Sequence, residues 1–384
     1  MRICLFQSSY ENSDHPLAGV DTELSDPSPY TTQHTFEHRF IHKDNANQEI
    51  DAVAAEGFDF YISFMWGTHD DLVAGIDACR YLESLDLPML GLRSQILNRS
   101  KQEFYDEARR LGAPRVPGTK RFPLFVKPAK LYASMFIDEK SICHNQQELE
   151  EALSALNKNL LPGRERRAAT AVEALKRPAM GKFVNAQSDG GVADDIVVQE
   201  FIDGEEYLVT VIQMHNTPVA LTPCKVRFPP NDTRTTKNFL THEVKFDPDL
   251  GMELVDEQSH GSLCTRLQDT AVAAFLANSM WENCMGCDVD IRVPHDGQPV
   301  ALEVNPMPAA FLPPGHVFED LPIKHTFPGG HRAIINIFIA NYALRHKPSD
   351  ISRRISQVSD AYDGLAETYD AFVEQHTGFP SNHG

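Results

Sequence analysis

Asp288, Asp290 and Arg292 alternate along one apolar stretch, Glu303 and Asn305 along a second, and Asp296-Gly297 lies between them. Alternate residues of a strand share a face, and Asp-Gly suits the positive φ angles of a hairpin turn. The spacing therefore predicts a hairpin with two carboxylates, a carboxamide oxygen and a guanidinium around one small volume. The oxygen donors Asp290, Glu303 and Asn305 suit Mg²⁺, with Mn²⁺ as a substitute. Such an ion keeps waters and shares its shell with substrate phosphates. A hairpin with a solvated polar face is the plainer alternative. Against it, Glu303 and Asn305 lie in an otherwise apolar run that Pro306 and Pro308 stop at once.

The elements around this hairpin carry further chemistry. Residues 98–101 open a helix running to Leu111, which Gly112 ends, and Lys101 stands at its start. Phe125-Val126-Lys127-Pro128 is a strand ending in a lysine, which is costly unless it meets an anion. Residues 195–212 read as two strands broken at Asp203-Gly204. Loop 228–241 holds Arg234 and Lys237, and 243–246 reads as a short strand with Lys245 inward. A helix over 263–285 delivers the chain to the hairpin, and 334–344 forms a last apolar helix. A helix over 145–156 precedes a polar, irregular excursion of a lid domain, from about residue 157 to 195, which holds a candidate helix over 168–175.

Over residues 1–100 short apolar strands (2–6, 36–42, 58–64 and 87–92) alternate with helical stretches (50–56 and 72–84), which implies a parallel sheet. Ligands of such sheets bind beyond the carboxyl ends of the strands. The loops after Phe6 and Phe64, notably Ser9–Glu11 and Trp66–Asp71, are therefore expected to touch substrate.

The 384 residues suggest two or three domains, and 42% hydrophobic residues suffice for a core. The net charge of −19 repels phosphate backbones, so nucleic acid is not an expected partner. No apolar run reaches the roughly 20 residues of a membrane span. Seven scattered cysteines point to a reducing, cytoplasmic setting. Cys284 and Cys287 have C-x-x-C spacing, but without a second pair they are read as structural.

Taken in order, these pieces resemble the ATP-grasp superfamily, and within it the D-alanine–D-alanine ligase-like carboxylate–amine ligases, over residues 1–346. The ordered set carries the resemblance: Lys101, Lys127-Pro128, Gln199-Glu200-Phe201-Ile202-Asp203-Gly204-Glu205-Glu206, then Asp290 and Glu303-Val304-Asn305. It implies an α/β fold with a Rossmann-like parallel-sheet domain (1–100), a central lid domain (101–200) and a C-terminal domain with the Mg²⁺ site (201–346). It also implies that ATP phosphorylates a carboxylate and an amine attacks the acylphosphate. Lys101 and Lys127 would reach the phosphates, as would Lys245 and, on its loop, Lys237. Gln199, Glu200 and Ile202 would lie along the adenine, and Glu206 would hold the ribose. Asp290, Glu303 and Asn305 would bind Mg²⁺.

Departures from the family concern the substrate. Tyr132 and Phe136 stand where the phosphate loop usually has glycine, and Ser134 alone fits the pattern. Asp288 replaces an arginine two residues before the first metal aspartate, so Arg292 is expected to serve the acyl group instead. Ala309 replaces a glycine. Glu11 is a candidate for holding an amine, and His316 lies in the segment 311–316 expected to shape the pocket. Residues 361–370 resemble the start of an S-adenosylmethionine-dependent methyltransferase domain, which makes 347–384 a linker toward a fused domain, with a simple terminal helix as the alternative. Two other functions compete: a nucleotide-binding module serving that domain, and a metal hydrolase built on Asp288, Asp290 and Glu303.

Overall fold

In the computed structural model, which describes residues 1–19, 24–176, 195–229, 239–316 and 320–346, the first part of the chain builds a parallel sheet. Its strands are β1 (Arg2–Ser8), β2 (Thr35–Ile41), β3 (Phe60–Phe64) and β4 (Met89–Gly91), in the order β2-β1-β3-β4. β3 is buried throughout because both faces of the sheet are covered. Ile50, Val53, Ala78 and Leu82, from the helices Ala46–Ala55 and Ile76–Ser84, pack on one face. Ile334, Ile335 and Phe338 of the late helix Gly330–His346 pack with Ile3, Leu5 and Ile62 on the other.

A second, antiparallel sheet has the order β6-β5-β7, from β5 (Leu124–Pro128), β6 (Ile142–Cys143) and β7 (Ile196–Glu200). Leu156 and Leu160 of the long helix Gln146–Lys176 pack against Val126. This helix corrects the expected irregular stretch after residue 156 and takes in the candidate helix over 168–175: it runs through Pro162 and on to Lys176. Pro162 removes one backbone donor, but the following cations have partners. Arg164 and Arg167 reach Asp195 at 2.8 and 2.9 Å, and Arg166 donates to the Asp70 carbonyl at 2.7 Å.

The third sheet is antiparallel, in the order β11-β10-β8-β12-β13, with β9 also paired to β8. Its strands are β8 (Gly204–Met214), β9 (Thr217–Ala220), β10 (Cys224–Arg227), β11 (Gly251–Leu254), β12 (Gly286–Pro294) and β13 (Val300–Asn305). The helix Glu257–Ala277 lays Leu267, Ala271 and Phe275 on Val209, Val289 and Ile291. It ends earlier than its apolar periodicity suggested, since Ser279 and Cys284 take positive φ angles around the short turn Met280–Asn283. The expected strand at 243–246 is instead a helical turn, His242–Lys245, capped by Thr241 accepting from the Val244 amide at 3.2 Å.

All seven cysteines are free and buried. Burial raises the thiol pKa of Cys284 and Cys287, in keeping with a structural reading of that pair. Among the described residues, no helix is long and apolar enough to cross a membrane. The stretch likened to a methyltransferase start, and the loop residues Arg234 and Lys237, lie outside the described residues.

Candidate active site

The hairpin forms as its alternation required. β12 and β13 pair so that Asp290 faces Glu303 and Asp288 faces Asn305, with a register shift after Asp290. The Asn305 amide donates to Asp290 at 3.3 Å. Burial, then repulsion from Glu303, raises the Asp290 pKa. Burial pushes Glu303 the same way, but Lys101 and Lys127 outweigh it and hold its pKa below the ordinary value. Two half-buried acids side by side are thus only partly compensated by protein cations, an arrangement that suits a bound cation.

Lys101 is aimed by its helix start. Ser100 accepts from the Glu103 amide at 3.1 Å and Glu103 accepts from the Ser100 amide at 2.6 Å, a reciprocal cap that fixes the first turn. From there the Lys101 ammonium reaches Glu303 at 2.8 Å and the Leu131 carbonyl at 2.5 Å. Lys127, at the end of β5, donates to the Leu302 carbonyl at 3.2 Å. Burial lowers the pKa of both lysines. The charge of Lys245 in turn favours ionisation of Asp288, Asp290 and Glu303.

Lys101, Lys127, Lys245, Asp290, Glu303 and Asn305 line one cavity of about 100 Å³, together with Ser134, Gln199, Ile202, Glu206 and Arg292. A second cavity of about 540 Å³ shares Lys101, Lys245, Glu206 and the Asp290–Glu303–Asn305 set with the first, and adds Asp288, Ala309 and His316. Ala133, Ser134 and Phe136 take positive φ angles without glycine, so the loop after β5 turns at the cost of left-handed backbone.

Several expected site residues are placed differently. Arg292 faces Glu206, to which it donates at 2.7 and 3.0 Å, and donates to the Ile202 carbonyl at 2.9 Å. It lines the first cavity, with Phe201, and these hydrogen bonds tie it to the turn between β7 and β8. Glu200 turns toward Gly118, to whose carbonyl its amide donates at 2.6 Å. Glu11 is 74% exposed beside His42 at 3.5 Å, because the turn at Asn12 carries it outward. Asp288, Asp290 and Glu303 give no three-acid metal centre: among the described residues no three His, Cys, Asp or Glu converge on one point. The set with Asn305 instead suits a hard cation completed by water and phosphate.

Three features escaped the sequence reading. Tyr105, one helical turn after Lys101, donates to the Leu302 carbonyl at 2.5 Å; the i, i+4 spacing was the available signal. The Thr210 hydroxyl lies between Asp288 at 2.6 Å and Asp320 at 3.2 Å, and Asp288 also accepts from the Ala309 amide at 2.9 Å. Glu206, Leu208 and Thr210 alternate on β8, so Thr210 was readable, whereas Asp320 is distant in sequence. Burial raises both acids, Asp320 further through the charge of Asp288. Third, buried His15 accepts from the Leu17 amide at its Nδ1 and presents its Nε2 to Asp71 at 3.2 Å and the Tyr132 hydroxyl at 3.1 Å.

No protein-family model matches the sequence, and no curated protein matches it. Solved structures do. A VanG D-Ala:D-Ser ligase from Enterococcus faecalis aligns with a TM-score of 0.54 at 13% identity, covering 89% of this chain and 99% of that one. An L-amino acid ligase from Bacillus licheniformis gives 0.52 at 13% identity, over 90% and 74%. The D-alanine–D-alanine ligase from Coxiella burnetii gives 0.50 at 15% identity, over 96% and 99%. What this chain shares with the three is the fold alone, that of the ATP-grasp ligases; in this chain a parallel-sheet domain is followed by two antiparallel sheets, whose residues line the lysine–carboxylate cavity.

Proposed function

We propose that this protein is an ATP- and Mg²⁺-dependent ligase that joins a carboxylate to an amine, releasing ADP and phosphate. The observation that carries this reading is the convergence of Lys101, Lys127 and Lys245 with Asp290, Glu303 and Asn305 on one cavity. The kinds of ligase found among the structural neighbours agree with it. Asp290, Glu303 and Asn305 would hold Mg²⁺, which when bound neutralises phosphate charge. The three lysines add fixed positive charge around the phosphates of the nucleotide. Gln199, Ile202 and Glu206 border the end where base and ribose would lie. The second cavity opens onto the same ligands and receives the acid or the amine. There Asp288 places a carboxyl at the position of the family's arginine, which suits an ammonium or amine better than a substrate carboxylate.

Phosphoryl transfer and amide formation need positioning and electrostatics more than a protein nucleophile. The test is ADP release from ATP with Mg²⁺ over paired panels of carboxylates and amines. Release that requires both partners supports the ligase. Tight nucleotide binding without release in any pairing would favour a binding module instead.

A further inference from the structure

The two cavities differ about fivefold in size, 100 against 540 Å³. The larger falls within the roughly 300–1,000 Å³ of pockets that enclose drug-sized ligands in mostly apolar walls. We infer that one of the two substrates carries a bulky, apolar body of aromatic size, housed in this second cavity; what becomes of it there rests on the ligase reading.

The argument is one of polarity and rigidity. The charged lining of this cavity includes Lys101, Asp290 and Glu303, and also Arg99, Lys130 and Asp247, while most of the remaining lining is apolar. Trp66, Leu97, Tyr132 and Leu312 supply apolar wall. That wall is preorganised: Trp66 meets Tyr132 edge-on at 4.2 Å, and Tyr132 is held by the His15 contact that the Leu17 amide orients. A rigid aromatic surface binds without an ordering cost. An alanine-sized side chain would leave much of the space to water, which finds few polar partners beside such residues. An amphiphilic occupant, with a charged group and an aromatic body, matches this mixed lining. One methylene in an apolar pocket discriminates about 10- to 200-fold, so the preference is large.

The probes are L- and D-phenylalanine against L- and D-alanine, titrated into the full chain with ADP and Mg²⁺. Calorimetry on the unaltered protein gives affinity. Fluorescence of Trp281→Phe, which leaves Trp66 as the sole indole of two, reports the wall. One phenylalanine isomer is expected to bind at least about tenfold tighter than alanine and to perturb Trp66, and Leu97→Trp is expected to erase the preference. Equal or tighter binding of alanine, no binding of either phenylalanine, or an undiminished preference in Leu97→Trp overturns the inference. ADP release with alanine-sized pairs alone also overturns it while leaving the ligase standing. Phenylalanine binding without ADP release in any pairing sinks the ligase and leaves the cavity assignment intact.

Discussion

Arg292 on β12 and Glu206 on β8 stand opposite one another and close a buried ion pair at 2.7 Å, with side chains 3% and 8% exposed. Because the same guanidinium also donates to Ile202, the pair fixes the turn between β7 and β8. Removing one partner of a buried pair strands the other charge and costs about 3–5 kcal/mol. Arg292→Ala and Glu206→Ala are each expected to lose that much in urea unfolding, and the double variant clearly less than the sum. Arg292→Lys should not restore stability, since one ammonium cannot reproduce the guanidinium fork. ATP affinity should fall at least as much as turnover. A turnover loss at unchanged ATP affinity would return Arg292 to the acyl group.

Glu303 is held ionised by Lys101 and Lys127 beside a neighbouring Asp290 of raised pKa. Glu303→Gln keeps the shape and deletes the charge, so ADP release is expected to drop by more than about 10²-fold. Lys127→Ala should do likewise. Circular dichroism checks that each variant stays folded; wild-type release from either would remove that residue from the site.

Much of this site was legible because strand alternation and cap chemistry are local. The hairpin face, the turn at Asp296-Gly297 and the start at Ser100-Lys101 each follow from a few adjacent residues. What could not be read depended on distant partners. Arg292 shares a face with Asp288 and Asp290, yet its direction is decided by Glu206, 86 positions away. The polar stretch after residue 156 shows no clear helical pattern, yet the helix runs on to Lys176, and there Arg164 and Arg167 meet Asp195 and Asp70. Glu11 looked placed for an amine only while the exposed turn at Asn12 was unknown.

Asp195 offers an acid-stability test. Burial raises its pKa, but hydrogen bonds from Arg167 and Arg164 prevail and the net shift is downward. Its stabilisation is therefore full above the unfolded value of about 3.9 and is lost as pH falls through the lower folded value. Asp195→Asn should lower stability at neutral pH and flatten the loss between about pH 4 and 2, read by denaturant midpoints across that range. An unaltered acid slope would show that this carboxylate is not a linkage group.

The buried thiols make a kinetic prediction. With burial raising the pKa of Cys4, Cys79, Cys224 and Cys287, their thiolate fractions at neutral pH are small. A disulfide reagent should label the native chain slowly and reach seven thiols only after unfolding. Rapid labelling of Cys284 or Cys287 in the native state would reopen a redox role for that pair.

Arg167 bridges Asp70, in the loop after β3, and Asp195, just before β7. One guanidinium thus joins the loop that supplies Trp66 to the strand that leads into the end of the cleft proposed for the nucleotide. Ligands on the two sides are therefore expected to share a coupling free energy, and by reciprocity each would alter the other's affinity by the same factor. Nucleotide affinity measured with and without an occupant of the second cavity should show that factor, and Arg167→Gln should shrink it in both directions alike.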